Sequence, residues 1–359
     1  MKETKFKNTE IGMIPEEWEV KKLGTVFDIG NGRDYKHLNT GKIPVYGTGG
    51  LMTYVNEYLY DGETVCIGRK GTINMPQYHN GKIWTVDTLF YTYNFRKTDV
   101  KFLYYLAQII DWNAYNTATG VPSLTSRNVS NILVSLPPLH EQHRIASALT
   151  SIDNLISSLG KLIEKKKNIK QGAMQQLLTG RTRLKGFSEP WVEKKLGELF
   201  EIGNGKDYKN LKSGPIPVFG TGGLMTYVNE YLYDGETICI GRKGTIDKPQ
   251  YHKGKIWMVD TLFYTYRFKD INVKYLYYLS TTINWNEYNT ATGVPSLTSQ
   301  NILKIKVVLP LEEEQQAIAT ILTKMDDEIT ALEAKKVKYE AIKQGMMQQL
   351  LTGKIRLVS

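Results

Sequence analysis

Two short segments carry cations placed for recognition chemistry: Gly68-Arg69-Lys70-Gly71-Thr72 and, again, Gly241-Arg242-Lys243-Gly244-Thr245. Cations between glycines can reach a phosphate oxygen or a guanine edge while bare backbone comes close to the ligand. Two further segments recur beside them. Gly47-Thr48-Gly49-Gly50-Leu51 and Gly220-Thr221-Gly222-Gly223-Leu224 offer backbone amides next to Tyr54 and Tyr227. The run TATGVPSLTS, at 117–126 and 290–299, places Thr119, Ser123 and Thr125, and then Thr292, Ser296 and Thr298, in an extended loop suited to phosphate contacts. Each segment also has a plain structural reading: a solvated basic hairpin, a glycine turn serving the fold, a loop that caps a sheet.

Catalytic chemistry leaves no comparable trace. IGNGRDY at 29–35 lacks the third glycine of a dinucleotide-binding turn, GRKGT does not have P-loop spacing, and no G-x-S-x-G occurs. His-Glu-Gln-His at 140–143 is not H-E-x-x-H, and Glu313 and Gln316 stand where a second copy would need its histidines, so it reads as a solvated cluster at a helix start. His79 and His252 read as hydrogen-bonding loop residues. Asp87 and Asp260 read as strand carboxylates bonded to neighbouring backbone N–H groups. Cys66 and Cys239 sit in the apolar runs TVCIG and TICIG, which suits buried strand thiols. No catalytic residue, metal or cofactor of its own is expected in this chain.

These segments recur because the chain is written twice. IGNGRDY at 29–35 returns as IGNGKDY at 202–208, a constant offset of 173 residues that holds from Trp18/Trp191 to QGAMQQLLTGR/QGMMQQLLTGK. That period is far beyond the 20–50 residues of solenoid repeats, so the chain is a tandem duplication. Within each copy, short runs rich in Val, Tyr and Thr predict a mainly β globule, interrupted by a small helix over 100–112. From Leu139 the texture becomes helical. Ile145, Ala148, Ile152, Leu155, Leu159, Leu162, Lys166, Ile169 and Ala173 form a coiled-coil seam, with Ile318, Ile321, Met325, Leu332, Ile342 and Met346 on the matching positions of the second copy. Lys166 and Lys335 fall on that seam. Pro137 and Pro138 precede the first helix, Glu141 falls in its first turn and Gly180 follows it, as helix boundaries require. Each helix of about 40 residues spans roughly 60 Å.

The 359 residues have ordinary globular composition, 41% hydrophobic and 23% charged, and carry a formal net charge of +10 that favours a polyanionic partner. With no long apolar run and no signal-like N-terminus, the chain reads as cytoplasmic, with no membrane partner.

TGVPSLTSRN and TGVPSLTSQN, followed by LPPLHEQHRIASAL and LPLEEEQQAIATIL, with IPEEWEVKKLGTVFDIGNG near the start and QQLLTG ending both copies, resemble the specificity subunit of type I restriction-modification systems. The resemblance covers essentially the whole chain. It implies an α+β fold: two β-rich target recognition domains joined by two long antiparallel coiled-coil helices in a pseudo-twofold tandem repeat. The domains would be 1–138 and 181–311, with spacer helices at 139–180 and 312–359. It implies double-stranded DNA as ligand, two methyltransferase subunits and restriction subunits as partners, and S-adenosylmethionine, ATP and magnesium bound on those partners. Because the two recognition domains are near copies, the expected target is an interrupted palindrome or close to one, diverging only if Arg33/Lys206, Asn74/Asp247 or Arg127/Gln300 touch bases. A duplicated carbohydrate-binding module and a coiled-coil assembly scaffold are the alternative readings.

Overall fold

The computed structural model describes residues 5–358. It divides into two compact units, Met1–Gly160 with Ala334–Ser359, and Lys161–Glu333. In the first, β1 (Phe6–Thr9) and β2 (Gly12–Pro15) form a hairpin, and β3 (Glu19–Lys22) leads through the one-turn α1 (Leu23–Val26) into β4 (Asp28–Asn31). Then follow β5 (Thr40–Gly47), β6 (Gly50–Val55), β7 (Tyr60–Gly68), β8 (Gln77–Thr85) and β9 (Leu89–Tyr93). Helix α2 (Val100–Ile109), a 3₁₀ turn (Trp112–Tyr115), α3 (Ser126–Asn131) and β10 (Leu133–Leu136) complete the globule before α4 (Leu139–Leu177). The second unit repeats the order: β11 (Val192–Lys195), α5 (Leu196–Leu199), β12 (Glu201–Asn204), β13 (Ile216–Gly220), β14 (Gly223–Val228), β15 (Tyr233–Gly241), β16 (Gln250–Met258), β17 (Leu262–Tyr266), α6 (Val273–Ser280), α7 (Ser299–Lys304), β18 (Lys306–Leu309) and α8 (Glu312–Leu350).

Each unit is organised by a six-stranded sheet, ordered β4-β9-β7-β8-β5-β6 in the first and β12-β17-β15-β16-β13-β14 in the second. All pairings are antiparallel except β5 with β8 and β13 with β16. β7 pairs with β8 along its length but with β9 only at Cys66, Ile67 and Gly68. Where β7 and β9 part, buried threonines take over the ladder: Val65 N–H donates to Thr92 Oγ1, and Thr92 N–H donates to Thr64 Oγ1, both at 2.9 Å. Strand separation therefore leaves no orphaned backbone donor at this point.

Beneath the sheet, α2 buries Phe102, Leu103, Tyr105 and Leu106 on one stripe, and the Asp99 carboxylate caps it by accepting from Phe102 N–H at 2.7 Å. The helical run is shorter than the predicted 100–112, because the chain turns extended at Ile110 and resumes as the 3₁₀ turn that buries Trp112. The core joins Trp18, Phe27, Phe90, Phe102 and Trp112 to Ile145 and Leu149 of α4, to Met347 and Leu350 of α8 and to Leu351 just beyond it. In the second unit, Tyr275, Leu276 and Trp285 meet Leu177 and Leu178 and the α8 residues Ile318 and Leu322.

Within each unit the two long-helix segments run antiparallel. Asp153 pairs with Lys343 at 2.7 Å while Gly160 approaches Lys336; Lys166 pairs with Glu328 at 2.7 Å and Lys170 with Asp326 at 2.5 Å. A tyrosine from the globule completes the Asp153 and Asp326 pairs: Tyr105 donates to Asp153 and Tyr278 to Asp326, both at 2.8 Å.

The buried stripe differs from the predicted seam. Ile145, Ile152, Leu159, Lys166 and Ala173 keep their place, but the alternate positions are Leu149, Ile156, Ile163 and Lys170, whereas Leu155, Leu162 and Ile169 are exposed. In α8, Leu322 and Lys343 replace Ile321 and Ile342, and Lys335 is exposed while Lys336 is half-buried. Apolar residues occupy adjacent positions at 155–156 and 162–163, so sequence spacing alone fits two registers one residue apart, and packing against the globules selects between them. No helix among the described residues is long and apolar enough to cross a membrane.

Candidate functional site

The recurring loops lie at one end of each sheet and are stitched together through their backbones. Beyond β7, Lys70 forms an isolated antiparallel bridge with Ser123, Gly71 N–H donates to Pro122 O at 2.9 Å and Leu124 N–H donates to Arg69 O at 2.8 Å. The basic loop and the TATGVPSLTS loop are thereby one surface. A third loop, the Asp87-Thr88 turn between β8 and β9, anchors them from the other side. Thr88 O accepts from Arg69 and Lys70 N–H at 2.8 and 3.2 Å, and Arg69 Nη1 donates to Asp87 O at 3.3 Å. The glycine hairpin closes the group, because Gln77 Nε2 donates to Gly47 O at 2.9 Å and Val86 N–H to Tyr46 O at 3.0 Å.

The second unit repeats this geometry. Lys243 bridges Ser296, Thr261 O accepts from Arg242 and Lys243 at 2.8 and 3.3 Å, Arg242 Nη1 reaches Asp260 O at 3.5 Å, and Gln250 Nε2 holds Gly220 O at 3.0 Å. In the first unit two open recesses result. One is lined by Asp34, Lys36 and the hairpin Gly47–Met52, the other by Arg69, Lys70, Ala118, Val121 and Ser123, and Asp87 and Thr88 line both.

Not every predicted residue contributes a free group. Arg69, Lys70, Arg242 and Lys243 are exposed, as are Gly49, Gly222, Thr119, Thr292 and Thr72; Thr48, Thr221 and Thr245 are half-buried, and Gly47 and Gly220 are buried. Thr125 and Thr298 serve the fold by capping α3 and α7, accepting from Asn128 and Asn301 N–H at 3.1 and 3.2 Å. Ser123 and Ser296 have their backbones engaged in the loop, each N–H donating at 2.9 Å to the Asn116 or Asn289 side chain. Tyr54 and Tyr227 are exposed but sit along β6 and β14 opposite Pro44 and Pro217, outside the residues lining the first unit's recesses. At Gly68 a Cβ would overlap the Thr72 carbonyl oxygen, so this glycine serves the loop's own tight path and not a ligand's approach.

Side chains at four equivalent positions of each unit were misplaced or missed by sequence reasoning. Asp87 and Asp260 are exposed turn residues and not strand carboxylates bonded to backbone. His79 and His252 lie on β8 and β16, not in loops, stacked at 3.8 and 3.9 Å on Tyr46 and Phe219, and burial pushes each imidazole down to about 4. They remain neutral and sit 3.2 and 3.3 Å from Gln77 and Gln250, the side chains that hold the glycine hairpins. Gln77 and Asn116 carried no signal, because single amides in polar runs look like any surface residue. Cys66 and Cys239 are buried strand thiols pushed up to about 12 by burial.

The 140–143 cluster is corrected most sharply. His140 is exposed and His143 pairs with Asp99 at 2.6 Å, but Glu141 and Gln142 are buried. Glu141 accepts from Arg356 Nε and Nη2, both at 2.7 Å, and from Trp18 Nε1 at 3.1 Å, while Gln142 Oε1 accepts from Asp99 N–H and its Nε2 donates to Pro137 O. Glu314 does the same with Arg183 and Trp191. These carboxylates clamp the helix start to the globule, with their charge compensated by a bidentate guanidinium.

Two copies of a β-rich globule, each exposing cations and glycine turns at one end of its sheet and packed on paired helix segments, define a duplicated recognition protein. Residues 15–171 and 188–342 match the family model for the type I restriction modification DNA specificity domain, and the chain belongs to that family. The MjaVIII type I restriction enzyme specificity subunit of Methanocaldococcus jannaschii is 26% identical, over 99% of this chain and 97% of its own length. The EcoprrI specificity subunit of Escherichia coli is 26% identical over 64% of this chain and 61% of its own. The crystal structure of a type I restriction-modification S subunit from M. genitalium superposes with a TM-score of 0.70 at 19% identity, covering 93% of this chain and 96% of its own. A chain from a structure described for complex assembly and conformational transition of the type I R-M system superposes at 0.56 with 16% identity, covering 95% and 99%. The structures share the fold; the sequence family gives the role, that of a non-catalytic DNA specificity subunit.

Proposed function

We propose that each unit reads one half of an interrupted duplex sequence through its three-loop end, and that the two half-sites form a palindrome or close to one. One observation carries this reading: every residue lining the two recesses of the first unit has an identical counterpart in the second, from Asp34/Asp207 and Gly47–Met52/Gly220–Met225 to Arg69/Arg242, Asp87/Asp260 and Val121/Val294. Like reading heads select like half-sites. Substitutions at Arg33/Lys206, Asn74/Asp247, Met75/Lys248 and Arg127/Gln300 surround these residues, and divergence between half-sites would arise there. Backbone contacts supply affinity and base edges supply sequence, so exposed Lys70 and Arg69 divide those tasks.

Regions 1–138 and 181–311 act as the two reading domains, and 139–180 and 312–359 as the spacers that set the gap and dock two modification subunits, with restriction subunits joining through them. S-adenosylmethionine, ATP and magnesium belong to those partners, and the complex works in the cytoplasm beside the genome. Co-expression with the modification subunit, followed by long-read mapping of methylated adenines across a plasmid library, tests this. An interrupted palindrome supports the reading; an interrupted direct repeat or two unrelated half-sites defeats the palindrome, and the absence of any motif from a folded complex defeats DNA reading by these loops.

A further inference from the structure

We propose that Asp87 and Asp260 are base-reading residues, each accepting a hydrogen bond from the exocyclic amino group of a cytosine in the half-site that its unit addresses. The inference rests on the DNA-reading assignment above and adds to it the base and the atom.

Asp87 occupies the centre of the site. Its turn lines both recesses, with Arg69 and Lys70 on one side and the Gly47–Met52 hairpin on the other. The turn is held firmly: Thr88 O takes two loop N–H groups, Asp87 O takes Arg69 Nη1, and Leu89 N–H closes onto Val86 O at 2.9 Å. The Asp87 backbone is thus committed while its side chain is exposed and makes no hydrogen bond or ion pair among the described residues, and the same holds for Asp260. Asp34, the other carboxylate of the first recess, is accounted for by the turn it makes with Lys36 N–H at 3.3 Å. Asp87 has no such duty. Even the adjacent guanidinium bonds its carbonyl and not its carboxylate.

An unpaired carboxylate on a surface that meets phosphates is repelled by them, so it is compatible with binding only where it meets a donor. Duplex DNA offers two in the major groove, the amino groups of cytosine and adenine. An ionised carboxylate only accepts, which matches the cytosine amino group; adenine sets an acceptor beside its amino group and is better met by an amide. Guanine and thymine present acceptors there and are disfavoured. Arg69, whose guanidinium donates to the Asp87 carbonyl, has the complementary chemistry for guanine.

The experiment uses the complex with its modification subunit, in the wild type and with Asp87→Asn, Asp260→Asn and both, with Asp87→Ala as a second variant. The readouts are the methylated motif and binding to duplexes altered one position at a time. Asn keeps the shape of an exposed side chain but turns one acceptor into a donor. D87N is expected to relax or move one cytosine position toward adenine in one half-site, D260N the corresponding position in the other, with about tenfold or more loss of discrimination. D87A is expected to lose the cytosine preference without gaining adenine. Unchanged motifs in all variants, with equal or tighter binding to every duplex, would overturn the proposal and leave DNA reading intact. A folded wild-type complex with no motif overturns both.

Discussion

Lys70 and Ser123, 53 residues apart in sequence, meet as an isolated antiparallel bridge, and Lys243 and Ser296 repeat it in the second unit. One backbone contact makes the basic loop and the TATGVPSLTS loop move as a single surface, which neither loop's composition requires. If these loops meet DNA as proposed, they do so as that one joined surface.

Arg69 and Lys70 should separate by task. Arg69→Ala should cost about 1–3 kcal/mol at one base position and blur it, as loss of a bidentate guanine contact does. Lys70→Ala should weaken all duplexes alike and lower the salt slope by about one phosphate. Anisotropy titrations of cognate and mismatched duplexes at several salt concentrations check both.

Gly49 and Gly120, like Gly222 and Gly293, have no atom within 4 Å of where a Cβ would lie and do not adopt left-handed backbone. Alanine at Gly49 and Gly120 should therefore leave thermal stability unchanged or raise it by about 0.4–1 kcal/mol through the unfolded chain. DNA affinity should fall if the duplex seats on these loops as proposed, because the added methyl would then meet it. Gly50, at φ +104, is the contrast: alanine there is strained and should lower the melting temperature.

Arg356→Ala removes the bidentate partner of Glu141, whose side chain is 0% exposed. An uncompensated buried charge costs about 3–5 kcal/mol, so the first unit should unfold at clearly lower denaturant. Restoring charge with Arg356→Lys should recover only part, since an ammonium cannot reproduce the fork.

The register of the long helices is testable by truncation. Leu149→Ala should cost about 2–5 kcal/mol, as buried leucines do, because Leu149 is 0% exposed. Leu155, 38% exposed, should tolerate alanine with a far smaller shift in the denaturation midpoint. Equal costs would support the seam that spacing alone suggests.

His79 and His252 set a pH window. Their folded values near 4 lie below the ordinary histidine value of 6.5, so between about 4 and 6.5 the unfolded chain binds more protons than the folded one. Stability should fall as pH drops through that window and be flat above it. Denaturation at pH 7 and 5 should show the loss in the wild type and less of it in the His79→Gln, His252→Gln double variant.

Much of the architecture is legible in the residues alone. Tandem identity at a fixed offset defined the duplication, the change from Val/Tyr/Thr runs to heptad spacing located the helices, and the missing catalytic motifs pointed to recognition. The recurring loops were found as candidates by composition alone. Their failures are instructive. Glu141 looked solvated because a charged residue at a helix start is usually exposed; its guanidinium partner lies 215 residues downstream in sequence. Asp87 looked structural because VDTLF reads as continuous strand, whereas the sheet breaks at Val86 to turn β8 into β9.

Short segments of the chain specify what recurs locally: element types, the two copies, the charge and the chemistry available in each loop, because side-chain period and glycine placement are local properties. Tertiary structure alone decided which loops share a surface, which carboxylate is clamped and which is left free, and which of two helix registers is buried. Those outcomes depend on contacts between residues far apart in the chain, whose pairing no local pattern encodes.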